Sequence, residues 1–226
     1  MTRSGESSHS PRYTGLVSST TSPYHQRVAD EKRALIVRAA TGLFLELGYD
    51  RSSLARIAES AGVSKATLFK QFPTKAALFD AIVTESWTSA DVLEVPEAGD
   101  VSAGLTTIGQ KYAALLTRPE MTDLFRIVIA ELPRFPELAR AQFAQGKMPW
   151  FESVRDYLLA EAEAGTAIVA DADLATTQFL GMISNYLFWP RLLVPDWSVS
   201  STRTTEVIAE AVTTMVTRYA AHSSGD

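Results

Sequence analysis

One stretch of this chain, residues 52–79, constrains the fold more strongly than any other (SSLARIAESAGVSKATLFKQFPTKAALF). Apolar residues in its first third recur at the three- and four-residue spacing of one helix face, and Gly62 then provides a tight turn. We expect Ser52 to cap this first helix and Ser64 to cap a second helix over residues 65–72, because serine hydroxyls accept the free N–H groups of a first turn. A short helix, a glycine turn and a polar, basic second helix predict a helix-turn-helix, in which the second helix is sized to the DNA major groove.

This stretch and the helix before it resemble the TetR family of bacterial repressors. The residues that match the family pattern in order and spacing are Ala39, Ala40, Leu43, Phe44, Gly48, Tyr49, Ser52, Ile57, Ala58, Ala61, Gly62, Val63, Ser64, Thr67, Leu68, Phe72 and Lys75. The resemblance covers about residues 30–83. It implies an all-α fold, with an N-terminal helix-turn-helix three-helix DNA-binding domain and a C-terminal helical bundle for ligand binding and dimerisation.

Two positions depart from the family pattern, and a second segment adds to the resemblance. Phe69 stands where tyrosine is usual, so a phosphate hydrogen bond common in the family is lost, and Gln71 stands where histidine or tyrosine is usual. Farther along the chain, residues 131–139 (ELPRFPELA) resemble the C-terminal domain of the AefR-like branch of the family.

Changes in composition divide the chain into three segments. Residues 1–26, rich in Ser and Thr, predict a disordered N-terminal leader or a flexible arm that reaches a DNA minor groove. Residues 27–86 are expected to form the DNA-binding domain and residues 87–226 the C-terminal ligand-binding and dimerisation domain. A helix from about Lys75 to Leu93 is expected to link the two.

Residues of the second helix and of the caps around it are candidates to bind DNA. Ser52, Thr67 and Lys75 are expected to anchor the phosphate backbone, which fixes position rather than sequence. Lys75 at a helix N-terminus is opposed by the helix dipole, so an anion such as a phosphate is expected beside it. Gln71 can donate to a phosphate or read a base edge. The complete expected DNA-binding set is Ser52, Ser64, Lys65, Ala66, Thr67, Phe69, Lys70, Gln71 and Lys75.

The net charge of −5 is distributed unevenly along the chain. Residues 27–86 hold nine Lys or Arg against seven Asp or Glu, whereas residues 87–226 hold ten against eighteen. The acidic part is therefore expected to lie away from DNA. Because the positive charge of the DNA-binding part is modest, tight binding is expected to depend on dimerisation and helix N-termini as well as on basic side chains.

Catalytic chemistry is disfavoured by the residue inventory. The chain has no cysteine and three histidines, His9, His25 and His222, all in expected tails, so the core lacks the residues of nucleophilic triads and of histidine acid–base catalysis. Glu161 and Glu163, two residues apart on a helix, point away from each other and are expected at the surface or in caps. We therefore expect no catalytic residue, no metal site and no cofactor.

No apolar run is long enough to span a membrane, and the N-terminus lacks the order of a signal peptide. The absence of cysteine is consistent with a cytosolic location. We therefore expect no membrane association and a cytoplasmic, nucleoid-associated bacterial protein.

Aromatic and methionine side chains are concentrated beyond residue 110. Each could simply belong to a helical core, but together they exceed what a plain bundle needs, and ligand pockets are concave, apolar and provided with a few polar groups. The polar candidates include Gln110 and Gln142. The expected ligand-binding residues are Tyr112, Phe125, Phe143, Trp150, Phe151, Gln178, Phe179, Met182, Asn185 and Tyr186.

The resemblance implies a homodimeric regulator, most readily a repressor, that binds double-stranded DNA at an inverted-repeat operator and is released by a small hydrophobic effector. The dimer face is expected on the last two helices, near residues 180–187 and 207–216, unless this apolar stripe is intramolecular core. The alternative is a DNA-bound structural or interaction factor of the same fold without an effector, which predicts a filled C-terminal core.

Overall fold

The computed structural model describes residues 23–88, 95–194 and 196–221, and these residues confirm the expected all-α fold. The N-terminal domain consists of α1 (Pro23–Leu47), α2 (Leu54–Ser60), α3 (Lys65–Gln71) and α4 (Lys75–Trp87). The C-terminal part consists of α5 (Val101–Leu116), α6 (Pro119–Glu131), α7 (Pro136–Ala141), a π-helical turn (Gln142–Lys147), α8 (Met148–Glu163), α9 (Ala172–Leu187), α10 (Trp189–Leu193) and α11 (Ser201–Tyr219).

Both ends of the DNA-binding domain differ from the sequence-based expectation. Residues 1–22 of the expected leader lie outside the described residues, and residues 23–26 are helical as the first turn of α1. His25 therefore belongs to a helix rather than to a tail. The linking helix α4 ends at Trp87, and the expected continuation toward Leu93 falls on residues 89–94, outside the described ranges.

The four helices of the N-terminal domain pack around a shared apolar core. Ile36 and Phe44 of α1 are buried with Ile57 of α2, Leu68 of α3 and Phe79 of α4. Two glycines make the turns: Gly48 after α1 has φ 82° and Gly62 after α2 has φ 66°, values that side chains other than glycine adopt at a cost.

Three hydroxyl caps begin the helices that follow α1. Ser64 accepts the backbone N–H of Thr67 at 3.0 Å, as predicted, and Thr74 accepts that of Ala77 at 3.0 Å. The cap of α2 was predicted one residue too early. Ser53 caps that helix by accepting the N–H of Arg56 at 3.2 Å.

The C-terminal helices form a bundle in which α5 lies against α9 and α11, and α8 packs on α9. The sequence predicts a helix over residues 137–164 with a possible break at Gly146 or Pro149, and the structure divides this segment into α7, the π turn and α8. Pro149 lacks the N–H that an α-helix needs at this point, and a π turn absorbs such an interruption by widening the backbone. A further helix is predicted to run to about residue 193 with a kink at Pro190. The structure divides it into α9 and α10, with Pro190 in the first turn of α10.

Glu161 corrects the expectation that both nearby carboxylates lie at the surface. Glu163 is exposed, but Glu161 on α8 is 0% exposed. Its carboxylate accepts hydrogen bonds from the Tyr157 hydroxyl, the Thr166 hydroxyl and the Gly99 N–H. Burial, followed by the hydrogen bond and charge of Glu161, raises the pKa of Tyr157. The two residues diverge as their spacing requires, and the interior lies on the side of Glu161.

Within the described residues, no helix has the length and hydropathy of a membrane-crossing segment.

Candidate nucleic-acid interface and interior polar site

Helix α3 presents one face to the interior and another to the surroundings. Leu68 is buried, as is Phe72 just after the helix end. Lys65, Ala66 and Lys70 are exposed and Phe69 is 48% exposed. The exposed face therefore combines two ammonium groups, a small residue and an unpaired aromatic ring. This mixture suits phosphate oxygens and the methyl and edge groups of bases.

The N-terminus of α3 is held by paired hydroxyl groups. The Ser64 and Thr67 hydroxyls lie 2.8 Å apart, while the Ser64 oxygen also accepts the Thr67 N–H. A fixed first turn orients the free N–H groups of the helix outward, where they favour an anion. These two expected DNA-binding residues are therefore positioned at the end of α3 where a phosphate is best received.

Gln71 lies at the edge of this face, against the start of α1. Its Nε2 donates to the Ala29 carbonyl at 3.3 Å, and its Oε1 is buried without a hydrogen-bond partner. Together with Lys70 and Lys32 it lines a groove of about 580 Å³ between α1 and α3. The side chain therefore has a role in joining α1 to α3 that the sequence did not indicate.

Ser52 is not placed where it could anchor a phosphate. It is 0% exposed, and its hydroxyl donates toward the carbonyls of Leu43 at 3.0 Å and Gly48 at 2.9 Å. The expected role at the DNA surface is corrected by this burial, because the hydroxyl closes the turn between α1 and α2 instead.

Lys75 finds its counter-group inside the protein. Its ammonium donates to the carbonyls of Tyr49 at 2.6 Å and Asp50 at 3.0 Å, and lies 4.3 Å from the centre of the Tyr49 ring. Burial lowers the pKa of Lys75, opposed by the nearby charges of Asp50 and Glu131. Lys75 therefore does not require a phosphate beside it, contrary to the expectation from its place at a helix start, since two backbone carbonyls supply the negative potential.

The C-terminal part contacts the same turn from the other side. Arg134 pairs with Asp50 at 2.7 Å, and the Phe135 ring centre lies 5.1 Å from that of Tyr49. At Gly48, a Cβ would approach a carboxylate oxygen of Glu131 to 2.8 Å. The two parts of the chain are therefore joined by this contact as well as by α4, whereas the sequence indicated a connection through one helix.

The end of α4 reaches the interior of the C-terminal bundle. Trp87 is buried, and a Cβ on Gly146 of the π turn would lie 2.4 Å from the Trp87 Nε1. Only glycine allows the indole to approach this backbone so closely. The ring centre of Phe125 lies 6.4 Å from that of Trp87 and 4.7 Å from that of Phe188. One helix thus runs from the cap beside α3 to an aromatic group in the second domain.

Four of the expected ligand-binding residues lie inside the bundle. Tyr112 stacks on Trp150 with ring centres 5.8 Å apart and planes 17° from parallel, and Phe179 is fully buried beside Gly109. Phe125 is half-buried. Burial raises the pKa of Tyr112 to about 12, so its phenol stays protonated at neutral pH.

The other six do not converge on that interior. Phe143, Gln178 and Asn185 are exposed, and Phe151, Met182 and Tyr186 are half-buried. Gln178 accepts a hydrogen bond from the Tyr219 hydroxyl at 2.8 Å, and Tyr186 accepts one from Arg203 at 3.1 Å. The ten expected residues therefore do not line a single pocket, because several of them, including those on the outward face of α9, point away from the interior.

Polar atoms in the interior were largely missed by sequence reasoning. Gln142 was considered, but Trp87, Thr122 and Thr176 were not. The side-chain polar atoms of these residues and the Trp150 Nε1 are buried without hydrogen-bond partners. These residues could have been found in the sequence only as polar residues on the apolar face of a helix, because amino-acid composition gives no information about the face on which a residue lies. No group of three or more potential metal-ligating His, Cys, Asp or Glu side chains occurs in the described part of the chain.

Comparisons with known proteins agree with this architecture. Residues 36–82 match the family model of bacterial regulatory proteins of the tetR family, and residues 103–221 match that of the AefR-like transcriptional repressor C-terminal domain. The chain is 36% identical over 94 residues to the HTH-type transcriptional regulator YdeS of Bacillus subtilis, a match that covers 41% of this chain and 46% of YdeS.

Two solved structures are similar over most of the chain. A TetR-family regulator from Mesorhizobium loti MAFF303099 is 26% identical with a TM-score of 0.72, covering 85% of this chain and 98% of that one. The flavonoid-responsive regulator FrrA is also 26% identical, with a TM-score of 0.69 and coverage of 86% and 100%. With the AefR-like model matching more than half of its residues, the chain belongs to the TetR family and is a helix-turn-helix DNA-binding transcriptional regulator rather than an enzyme.

Proposed function

We infer that this regulator is a repressor, which binds an inverted-repeat operator as a homodimer and leaves it when a small, near-neutral, largely apolar effector binds the C-terminal domain. The observation that carries this proposal is the span of α4. Its first residues pack beside the helix-turn-helix, and its last residue, Trp87, is buried against the π turn of the second domain. A change in that interior therefore acts directly on the position of α3.

The proposed DNA contacts follow the exposed face of α3. Lys65 and Lys70 provide phosphate contacts, and Ser64 with Thr67 presents the helix N-terminus. Phe69 and Ala66 offer apolar contact to thymine methyl groups, which is a base-specific interaction in the major groove. Gln71 lies at the border of this surface. Ser52 is left out because of its burial, and Lys75 supports the surface from behind.

The proposed dimer face is the outward stripe of α9 together with the neighbouring face of α11. The expected stripe on residues 180–187 and 207–216 is mostly core of one protomer, since Leu180, Ile183 and Met215 are buried there. The outward side instead presents Leu174 of α9 (50% exposed), and Trp189 at the start of α10 is also exposed (48%). Between them along the same stripe are Gln178, Gly181, Met182 and Asn185.

The chemistry of the effector is indicated by the residues inside the bundle. Tyr112, Trp150, Phe125 and Phe179 offer flat apolar surfaces, and Glu161 is the one charged residue buried among the described residues. Its carboxylate is already occupied by three donors. A charged ligand would lack a counter-charge, so a neutral aromatic molecule fits best. The similarity to a flavonoid-responsive regulator supports the choice of flat aromatic compounds as test ligands.

Binding and release must be linked by a difference in affinity between two states. The effector must bind more tightly to the state that does not fit the operator, and the operator must then weaken effector binding by the same factor. A coupling of about 1 to 3 kcal/mol is expected for such a switch.

The experiment is a footprint of the purified protein on the DNA that flanks its own gene, repeated with flavone present. We expect two protected half-sites of inverted sequence about 34 to 36 Å apart, or a multiple of that distance, with loss of protection when flavone is added. Protection of one unpaired half-site would overturn the operator geometry. Protection unchanged by flavone, together with binding of flavone measured by calorimetry, would overturn release by the effector.

The alternative of a structural DNA-binding factor without an effector keeps one observation in its favour. The Tyr112–Trp150 stack and the fully buried Phe179 fill the part of the bundle where a ligand was expected. Against it are the unsatisfied polar atoms of the same interior. If neither flavone nor other neutral aromatic compounds stabilise the protein against heat, this alternative is favoured.

A further inference from the structure

Unsatisfied hydrogen-bonding groups are concentrated inside the C-terminal domain. Buried polar groups in folded proteins are nearly always paired, so each exception requires an explanation such as a bound ligand or water. Among the described residues, six side-chain atoms of this domain and of the end of α4 are buried without a partner. They are Trp87 Nε1, Thr122 Oγ1, Gln142 Oε1, Gln142 Nε2, Trp150 Nε1 and Thr176 Oγ1.

Two of these residues, Gln142 and Trp150, lie along one line with Gly146 between them. Gln142, Gly146 and Trp150 are buried at intervals of four residues, whereas Phe143, Ala144, Gln145 and Lys147 between them are exposed. They therefore share the inward face of the π turn and the start of α8. Trp87 lies against Gly146, between the other two. Since a π turn rises less per residue than the 1.5 Å of an α-helix, the line from Gln142 to Trp150 is at most about 12 Å long, which is within the length of a small molecule.

Most of the unpaired polar groups along this line are hydrogen-bond donors. An indole N–H donates and does not accept, and the glutamine amide both donates and accepts. Trp87, Trp150 and Gln142 therefore offer donors from three side chains, with one carbonyl oxygen among them. The flat rings of Tyr112 and Phe125 contact the two indoles. A partner for this line must be flat and neutral and must carry acceptor oxygens.

We propose that Gln142, Trp87 and Trp150 form the polar recognition line for a planar, neutral aromatic effector, with a ketone oxygen accepting hydrogen bonds from the indole N–H groups. This rests on the proposed function and specifies the ligand class of its effector. In the ligand-free protein these groups lack hydrogen-bond partners, which destabilises the fold. A molecule that forms these hydrogen bonds removes that cost and therefore binds more tightly. The π turn is the element that yields to admit it, since its wider backbone is not held by a regular α-helical ladder.

The position of Trp87 connects this recognition to DNA binding. Trp87 is the last residue of α4, and its indole approaches the backbone of the π turn at Gly146 without a side chain between them. A ligand that engages the Trp87 N–H must enter this contact. It therefore shifts the end of α4 relative to the bundle, and α4 carries the shift to the helix-turn-helix.

The test compares two probes that share a skeleton and differ in the acceptor. Flavone has a ring ketone, and flavan lacks it. Binding of each to the full-length protein is measured by titration calorimetry, for the wild type and for Trp87→Phe, Trp150→Phe and Gln142→Leu. The phenylalanine variants keep a flat ring and remove the N–H donor. Trp197→Phe is the matched control, because Trp197 is exposed in the loop before α11 and outside the proposed line.

We expect wild-type protein to bind flavone at least about tenfold more tightly than flavan, the equivalent of one net hydrogen bond. Trp87→Phe and Trp150→Phe are expected to weaken flavone binding by about tenfold each and to leave flavan binding unchanged. Trp197→Phe binds both probes as the wild type does. Circular dichroism checks that each variant is folded, and Gln142→Leu gives a third measurement in which both indoles remain.

Three results would overturn the proposal: equal binding of flavone and flavan, no binding of either, or unchanged flavone binding in the three line variants. The operator arm separates this proposal from the proposed function. If flavan releases the operator as well as flavone does, the repressor function stands and the recognition line is wrong. If flavone binding depends on the two indoles while the operator complex is unaffected, the line stands and release by the effector is wrong.

Discussion

At the residue scale, the expected DNA-binding side chains fall into two groups, one exposed on α3 and one bound to the protein's own backbone. Lys65, Lys70 and Phe69 are exposed on α3 and are available to DNA. Ser52 and Lys75 instead bind backbone carbonyls of the turn between α1 and α2. The sequence predicted DNA contact for all of these residues, but Ser52 and Lys75 are engaged by the protein's own backbone.

Lys75 supports a prediction that discriminates between these roles. Lys75→Met is expected to lower the free energy of unfolding by about 1 to 3 kcal/mol, because it removes hydrogen bonds from a charged donor to the Tyr49 and Asp50 carbonyls. The measurement is urea denaturation followed by circular dichroism.

The control for this measurement is Lys70→Met on the exposed face of α3. Its stability is expected to stay within about 0.5 kcal/mol of the wild type. Its affinity for the operator should fall, and the salt dependence should decrease by about one unit for the lost phosphate contact. A Lys75→Met variant with normal stability and a reduced salt dependence would restore Lys75 as a phosphate anchor.

At the element scale, the end of α8 is tied to two loops by one carboxylate. Glu161 receives donors from Tyr157 on its own helix, from Thr166 in the following turn and from the Gly99 N–H before α5. A Cβ on Gly104 of α5 would lie 1.7 Å from the Tyr157 hydroxyl oxygen, so a glycine is required where this group reaches α5.

We expect Glu161→Gln to lower the free energy of unfolding by about 1 to 3 kcal/mol, because the new amide N–H₂ would face donors and leave buried groups unpaired. Thermal and chemical denaturation provide the measurement. Glu163→Gln, two residues away and exposed, should change stability by less than about 0.5 kcal/mol. Equal effects of the two substitutions would show that the buried cluster does not stabilise the fold.

At the scale of the whole molecule, the proposed function requires two copies arranged around a two-fold axis. Gly181 lies in the middle of α9, where glycine costs about 1 kcal/mol relative to alanine. Among the described residues, no neighbouring helix or side chain lies within 4 Å of the position of a Cβ there. Nothing in one protomer therefore explains the glycine, whereas close approach of a partner helix does.

Gly181→Arg is accordingly expected to leave the protomer folded and to prevent dimerisation and tight operator binding. Analytical ultracentrifugation and gel shifts measure the two effects. Gly42→Arg is the matched control, since Gly42 is also within a helix and a Cβ there would also meet open space, on α1 away from the proposed dimer face. A Gly181→Arg variant that remains dimeric would place the interface elsewhere.

Local signals in the sequence were sufficient to predict the helix-turn-helix and most helix boundaries. Ser64 and Thr74 cap helices because a hydroxyl needs only the N–H three residues ahead. Helix α6 begins at Pro119 because proline is favourable in a first turn. The all-α class and the family follow from such local and periodic patterns, since both depend on residues close to one another in the chain.

Only the tertiary structure decided which polar residues face outward and which are buried. Lys75 and Asp50, Glu161 and Gly99, and Trp87 and Gly146 are far apart in sequence. They meet because the turn after α1 packs on α4, the loop before α5 packs on α8, and the end of α4 packs on the π turn. The choice of face on α9 likewise depends on which side α5 and α11 cover. Helical periodicity indicates which residues share one face of a helix. It does not indicate which element covers that face, because the covering element is brought there by long-range packing between residues that are distant in sequence.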